Sequence, residues 1–401
     1  MIIREKYLSK IRPFYDQDLI KVIIGVRRCG KSVILLQIID ELKERKIPEE
    51  KIIYINFEYE DYAFIKNNMD LHQYIKEKIV NNEKYYLFFD EIQNINHWEK
   101  AINSFKASKN VSIFITGSNS DLLSGDLATH IAGRYVSFKI YPFTFKEVCK
   151  LKNITDKKDI EEAFNDYITW GGMPQRFMMA DDFQIRTYLS DIYNSILVKD
   201  IITRFNIKDL DLFNRMVEYI VTTPSQNFSA ESLSNYFANK DDREVSKITI
   251  YNYLEYMTKA MVINKADRYD VRGKRILNGK YKYYLTDLGF GQIMNIGKRP
   301  QLGAYLENIV YNELLSRGYD VKVGNLENGE IDFIAIRFKE KIYIQVAYIL
   351  ADETVVEREF GAFKGIEDNY PKYVLTMDKF DFSQNGIIHK NVIDWLLEEN
   401  G

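Results

Sequence analysis

Short apolar runs recur through the first third of the chain, at residues 19–24, 51–57, 85–89, 111–116 and 135–141. Each has the length of a strand, and helical periodicity fills most of the gaps between them. That alternation predicts βαβ units and a doubly wound parallel sheet. Over residues 32–46, Val33, Leu36, Ile39 and Leu42 recur at helical spacing, which predicts an amphipathic helix with these four on its buried side. From residue 145 to about 210 the pattern is helical, broken at Trp170-Gly171-Gly172-Met173-Pro174, where two glycines and a proline force a turn. Residues 228–291 change character: a helix, a turn, a second helix at 246–259, then strands near 261–268 and 280–285, the order of a winged helix. Beyond Gly303 a helix at 304–315 precedes a short strand and two further strands at 329–333 and 341–347.

Length and charge narrow this picture. A chain of 401 residues exceeds one compact core, so two or three domains are expected. The net charge of −3 denies the molecule a global basic field, and any nucleic-acid contact must come from a local patch. Two cysteines, Cys29 and Cys149, lie in unlike contexts, and the four histidines are scattered without metal-ligand spacing. The N-terminal residues lack a signal peptide's apolar stretch, and no run approaches the roughly 20 apolar residues of a membrane helix. A cytoplasmic location without membrane contact is therefore expected.

The first strand runs into Gly25-Val26-Arg27-Arg28-Cys29-Gly30-Lys31-Ser32, the full GxxxxGK[ST] phosphate-binding pattern, with a helix following at once. Gly25 and Gly30 permit close backbone approach, so the N–H groups from Gly25 through Val33 can turn inward on phosphates at a helix N-terminus. Lys31 then reaches the β- and γ-phosphates, and the Ser32 hydroxyl is placed to ligate Mg²⁺. The third strand ends Phe88-Phe89-Asp90-Glu91, which delivers two carboxylates to the sheet edge where α/β folds bind ligands. Asp90 is expected to hold Mg²⁺ and Glu91 to orient the attacking water. At the end of the fourth strand, Ser118 or Asn119 is a candidate sensor of the γ-phosphate, and Asn56 is a candidate restraint on Glu91. Arg134, just before the fifth strand, is a candidate arginine finger, with Arg27 and Arg28 as rivals. ATP and Mg²⁺ are the expected cofactors.

In the winged-helix segment the second helix offers Lys247, Thr249 and Asn252. The wing carries Arg268, Arg272, Lys274, Arg275, Lys280 and Lys282 against Asp267 and Asp270. Such an excess suits salt-sensitive contact with DNA phosphates, although winged helices also dock proteins.

Four motifs together resemble a large family of uncharacterised prokaryotic AAA+-type ATPases: the phosphate loop, Phe-Phe-Asp-Glu-Ile-Gln with Trp98 downstream, Ile-Thr-Gly-Ser-Asn-Ser, and Gly-Arg-Tyr followed by Tyr-Pro-Phe. The resemblance implies an additional-strand P-loop core in which Glu91 is the catalytic acid. The Gly-Gly-x-Pro break is similar to this family as well. The last hundred residues resemble the PD-(D/E)xK nuclease fold, in which helix and strand acids bind metal and a lysine supports the attacking water. Glu307 and Asp332 match the first two acids. Gln345 stands where the third acid belongs, and Ala347 where the lysine belongs. The resemblance thus implies a restriction-endonuclease-like domain whose hydrolytic site is degenerate.

The expected organisation is a P-loop ATPase core at 1–145, a helical lid at 146–215, a winged helix at 216–297 and the nuclease-like α/β domain at 298–401. The expected function is ATP binding and hydrolysis, with nucleotide state controlling DNA engagement and assembly as a homo-oligomer. A nucleotide-dependent protein-interaction switch and an active nuclease are the alternatives.

Overall fold

A computed structural model describes residues 2–118, 122, 133–241, 244–294, 301–326 and 329–398. Two compact units divide the chain: Met1–Tyr141 together with Lys259–Met261, and Pro142–Thr258 together with Val262–Gly401.

The first unit is organised by strands buried along almost their whole length at its centre, as a parallel sheet covered on both faces requires. β1 (Ile20–Ile24), β2 (Ile52–Asn56), β3 (Tyr85–Asp90), β4 (Val111–Gly117) and β5 (Tyr135–Lys139) form one parallel sheet in the order β2-β3-β4-β1-β5. β4 therefore lies between the strand that leads into the phosphate loop and the strand that ends in the two acids. α1 (Glu5–Ile11), α2 (Lys31–Glu44), α3 (Asn68–Lys78) and α4 (Trp98–Ser108) belong to this unit. The buried face of α2 consists of Ile34, Leu35, Ile38, Ile39 and Leu42, whereas Leu36 is exposed and Val33 half-buried. The expected stripe was thus rotated by about one residue, because its 3.6-residue period fixes the face only to within a neighbouring position.

The second unit begins with α5 (Phe145–Lys152), whose start is fixed by a capping box between Thr144 and Glu147. α6 (Lys157–Trp170), α7 (Asp182–Ser195), continued by a π-helical stretch to Thr203, and α8 (Leu210–Thr222) follow. α6 stops at Gly171, which adopts φ +72°. Here the two glycines wrap a buried carboxylate: Asp287 accepts the N–H groups of Gly172 (2.7 Å) and Gly289 (3.0 Å). A Cβ on Gly171 would stand 2.0 Å from Asp287 Oδ1, and one on Gly172 2.1 Å from the Phe143 carbonyl oxygen. The Gly-Gly-Met-Pro break is therefore a close approach as well as a turn.

Next come β6 (Asn227–Phe228), α9 (Ala230–Asp241), α10 (Lys247–Lys259), β7 (Ile263–Asp270), β8 (Arg275–Leu285) and α11 (Gly289–Met294). α12 (Leu302–Arg317), β9 (Asp320–Leu326), β10 (Gly329–Arg337), β11 (Glu340–Val346), α13 (Glu353–Gly361), β12 (Lys372–Thr376), β13 (Ile388–Asn391) and α14 (Val392–Leu397) complete the chain. All eight strands share one sheet in the order β13-β12-β11-β10-β9-β7-β8-β6. β7 pairs in parallel with β9, from Arg268 opposite Val323 to Asp270 opposite Asn325. The boundary expected at 297/298 thus falls within a single sheet. Sequence patterning could not show this, because the joining pair is non-local. Ile331, Ile334, Tyr343 and Val374 pack with Phe360 and Phe363 in one apolar core. Among the described residues, no helix is long and apolar enough to cross a membrane.

Candidate functional site

The loop after β1 is shaped by its two glycines and one arginine. Gly30 sits at φ +102° directly before α2, and Arg28 at φ +66°. A Cβ on Gly25 would stand 2.4 Å from the Ile140 carbonyl oxygen and 2.6 Å from Cys29 Sγ, so only glycine fits. Cys29 is fully buried, burial raises its thiol pKa, and its Sγ donates to the Ile140 carbonyl. It packs the loop from behind and has no reactive character. From the N-terminus, the buried guanidinium of Arg4 donates to the carbonyls of Cys29 (3.2 Å) and Tyr141 (3.0 Å) while lying over the Tyr7 ring. Nothing in the local sequence marks Arg4 for this task.

Lys31, Glu91 and Ser118 converge in front of the loop. Lys31 Nζ lies 2.8 Å from Ser118 Oγ and 3.3 Å from Glu91 Oε1, and it also donates to the Gly25 carbonyl. The Ser118 hydroxyl lies 2.9 and 3.1 Å from the two Glu91 oxygens. Burial pushes the Glu91 carboxyl up, but Lys31, Gln93, Ser118 and Arg27 outweigh it and hold the pKa below the ordinary value. Asp90 is fully buried and receives Thr116 Oγ1, the Tyr54 hydroxyl (2.9 Å), Asn56 Nδ2 (3.3 Å) and the Ser32 hydroxyl. Burial raises its pKa against these donors. A hydroxyl bonded to a carboxylate beside the lysine of the loop is a donor set that fits Mg²⁺ with waters. Ser32 and Asp90 are the residues that would hold it.

Two expectations about this site change. Asn56 bonds Asp90, and the amide that restrains Glu91 belongs to Gln93, whose Nε2 donates to Glu91 Oε2 at 2.5 Å. Gln93 lies one short turn beyond β3, close enough for the left-handed Glu91 (φ +54°) to fold back on it. Arg134 precedes β5, and its carbonyl accepts the Ile20 N–H at the start of β1. It therefore stands at the amino edge of the sheet, about 16 Å of strand away from the phosphate loop. It cannot act as a finger in the site of its own chain. Arg27 remains beside Glu91 and pairs with Glu58 at 2.9 Å, while Arg28 is exposed. Asn119 lies outside the described residues.

The second unit gathers a different cluster. Glu307 from α12 and Asp332 from β10, both named by the nuclease resemblance, meet Glu330 around the ammonium of Lys282 on β8. Lys282 Nζ is 3.0 Å from Glu307, 2.8 Å from Glu330 and 3.5 Å from Asp332. Burial works against that ammonium, but Glu307, Asp332 and Glu330 outweigh it and raise its pKa. Burial and the neighbouring Asp332 push the Glu307 carboxyl up, and burial also raises Asp332. Gln345 Oε1 accepts the Asp332 N–H at 3.2 Å, and Asp332 Oδ2 accepts the Val346 N–H at 2.9 Å. The sequence placed Lys282 on a solvated wing. Its 6 % exposure shows that it is interior.

The family model "AAA domain" matches residues 17–149, and "Domain of unknown function (DUF8612)" matches residues 161–300. An uncharacterised protein of Haemophilus influenzae is 39% identical over 401 residues, which cover 99% of each chain. An uncharacterised protein of Methanocaldococcus jannaschii is 34% identical over 364 residues, 87% of this chain and 79% of that one. The chain belongs to this family. Its first third is a P-loop AAA domain. Among solved structures, the Aeropyrum pernix ORC1 protein in complex with DNA covers 74% of this chain and 93% of its own at 10% identity, with a TM-score of 0.33. A superposition at that level carries no weight for function.

The basic residues of this family member's second unit have separate fates. Arg268 is half-buried and its charge is already engaged: it pairs with Glu330 at 2.8 Å and donates to Asn325 at 2.9 Å. Lys282 is withdrawn for the same reason. Both were read as wing charges because their partners lie far along the chain, on β9, β10 and α12. Arg272, Lys274 and Arg275 are exposed on the β7–β8 turn, with Arg275 3.6 Å from Asp270. The side chain of Lys280 is not among those described. Lys247, exposed on α10, pairs with Glu231 at 2.9 Å.

Proposed function

We propose that this chain is a Mg²⁺-dependent, ATP-hydrolysing AAA+-type protein whose nucleotide state controls its engagement with DNA. The observation that carries the reading is the convergence of Lys31, Glu91 and Ser118, with Asp90 and Ser32 beside them. Lys31 is spent on Glu91 in this state. A γ-phosphate arriving at the loop competes for Lys31 and Ser118, and Glu91 is then released to accept a proton from water held in line. Bound Mg²⁺ would neutralise phosphate charge. Ser118, touching both the lysine and the acid, links γ-phosphate occupancy to the position of Glu91. Arg27 is the nearby cation of this chain best placed to answer transition-state charge, and Arg134 serves only a neighbouring copy in a homo-oligomer.

The DNA half of the reading rests on the element order α8, β6, α9, α10, β7 and β8, which supports a winged helix, and on the exposed cations of the β7–β8 turn. A second reading, a switch that docks protein instead, is favoured by Ile248 and Tyr251, which are 72% and 44% exposed on α10. One experiment separates them: ATP turnover of the parent and Glu91→Gln, with and without duplex DNA. Glu91→Gln is expected to bind ATP normally and to lose on the order of 10²–10⁴ in turnover. DNA is expected to raise turnover of the parent. Equal turnover in Glu91→Gln would remove Glu91 from the mechanism, and nucleotide-dependent assembly without a DNA response would select the second reading.

A further inference from the structure

We infer that Lys282 is the resident cation of the carboxylate cluster in the second unit, and that the cleft beside it holds a nucleic-acid phosphodiester backbone without a divalent metal. This deepens the DNA reading above and rests on it.

The nuclease resemblance implies a metal at Glu307 and Asp332. The residues present do not fit one. An ammonium, Lys282 Nζ, already stands within 2.8–3.5 Å of three carboxylates. Arg268 answers Glu330 from the other side, Tyr284 donates to Glu307 at 2.7 Å, and Val346 N–H occupies Asp332 Oδ2. Gln345 has turned its carbonyl oxygen to the Asp332 N–H. The cluster thus sets two cations against three carboxylates whose oxygens are further occupied by hydrogen-bond donors, and a metal ion entering it would meet the lysine.

That balance matters for the adjoining cleft. A cavity of about 560 Å³ opens beside the cluster, with Glu330 and Gln345 on its sheet side. Its opposite wall is α13 and the turn that follows, which supply Arg358 and Lys364, while Arg272 reaches in from the β7–β8 turn. Arg272 Nη2 lies 3.9 Å from where a Cβ on Gly365 would stand, so the turn and the post-helix segment face each other across the opening. Glu330 is answered by Lys282 and Arg268, and Arg358 also holds the buried Glu359. The mouth therefore sets Arg272, Arg358 and Lys364 against Glu357 and Glu359. Gly329 and Gly361 line the same space with nothing within 4 Å of an added Cβ, which leaves room beside them. A volume in the range of ligand sites and a basic rim suit a phosphate chain. A floor in which lysine has taken the metal's place suits holding it without cleavage.

The test uses the full chain without nucleotide, so that Mg²⁺ at the first unit plays no part, with a short labelled DNA duplex and the matching single strand, in EDTA and in Mg²⁺, across a salt series. Binding is expected to be unchanged by EDTA. Arg272→Ala/Lys364→Ala is expected to weaken it about tenfold or more and to lower the slope of log affinity against log salt by about two. Lys158→Ala, on the exposed face of α6, is expected to leave it as in the parent. Mn²⁺ alone, without nucleotide, is expected to show no saturable binding that Asp332→Asn removes. Loss of DNA binding in EDTA, or an Asp332-dependent Mn²⁺ site, overturns the metal-independent assignment. If the double variant binds as the parent does while Lys247→Ala fails, DNA engagement stands and this cleft is wrong. If the parent binds neither DNA form in any nucleotide state, the DNA reading fails and takes the cleft with it.

Discussion

Glu91 is held at three points before any nucleotide arrives: by Lys31, by Ser118 and by Gln93 at 2.5 Å. The first two are groups that a γ-phosphate would claim, so Gln93 is the restraint that persists afterwards. Gln93 Oε1 is buried without a partner among the described residues, so the amide is anchored mainly through Glu91. Gln93→Ala is accordingly expected to raise basal ATP turnover several-fold and to shrink any stimulation by DNA, with ATP affinity unchanged. Steady-state kinetics with and without duplex, alongside a nucleotide titration, would check this. Lower turnover in the variant would instead make Gln93 a positioner of the acid. That Lys31, Ser32, Asp90 and Glu91 meet was legible because a loop pattern and a strand end place them at one edge of the sheet. Gln93 was visible in the motif but not its partner, since the left-handed turn at Glu91 decides where the amide goes.

Among the elements, β1 carries a lysine that its apolar pattern conceals. Lys21 is fully buried, donates to the Leu19 carbonyl (2.9 Å) and Ser112 Oγ (2.7 Å), and lies 4.7 Å from the Phe114 ring centroid. Burial first, then Lys84 and Lys106, push its pKa down to about 7. The unfolded chain therefore binds a proton that the folded chain has shed at pH values between about 7 and the ordinary lysine value near 10.4. Stability is expected to rise with pH through that window, by at most about 1.4 kcal/mol per pH unit from this group. Urea unfolding of the parent and Lys21→Met from neutral to alkaline pH would check it; the difference between them must change with pH. The five strands of the first sheet were readable because each is a predominantly apolar run of strand length. The face of α2 was not, since the exposed Leu36 is as apolar as its buried neighbours.

The second unit is bound together by pairings distant in sequence. β7 joins β9 across the proposed 297/298 boundary, and Lys282 meets its carboxylates across the same line. A fragment ending at residue 297 is therefore expected to expose the β7 edge and to leave the Lys282 ammonium without acids. It should aggregate or unfold non-cooperatively, as judged by chromatography and thermal melting, whereas the full chain melts cooperatively. A soluble, cooperative fragment would restore the boundary. The sequence by itself determined what depends on neighbours along the chain: a phosphate loop between strand and helix, two acids at a strand end, the helical break at Gly171 and Gly172. Only the tertiary structure decided what depends on which strands lie side by side. It moved Arg134 to the far edge of its sheet, paired Arg268 with an acid, took Lys282 into the interior, and set that lysine among carboxylates that had seemed to await a metal. The physical reason is that a charged side chain's role is fixed by what surrounds it, and at Lys282 the surrounding acids are 25 to 50 residues away.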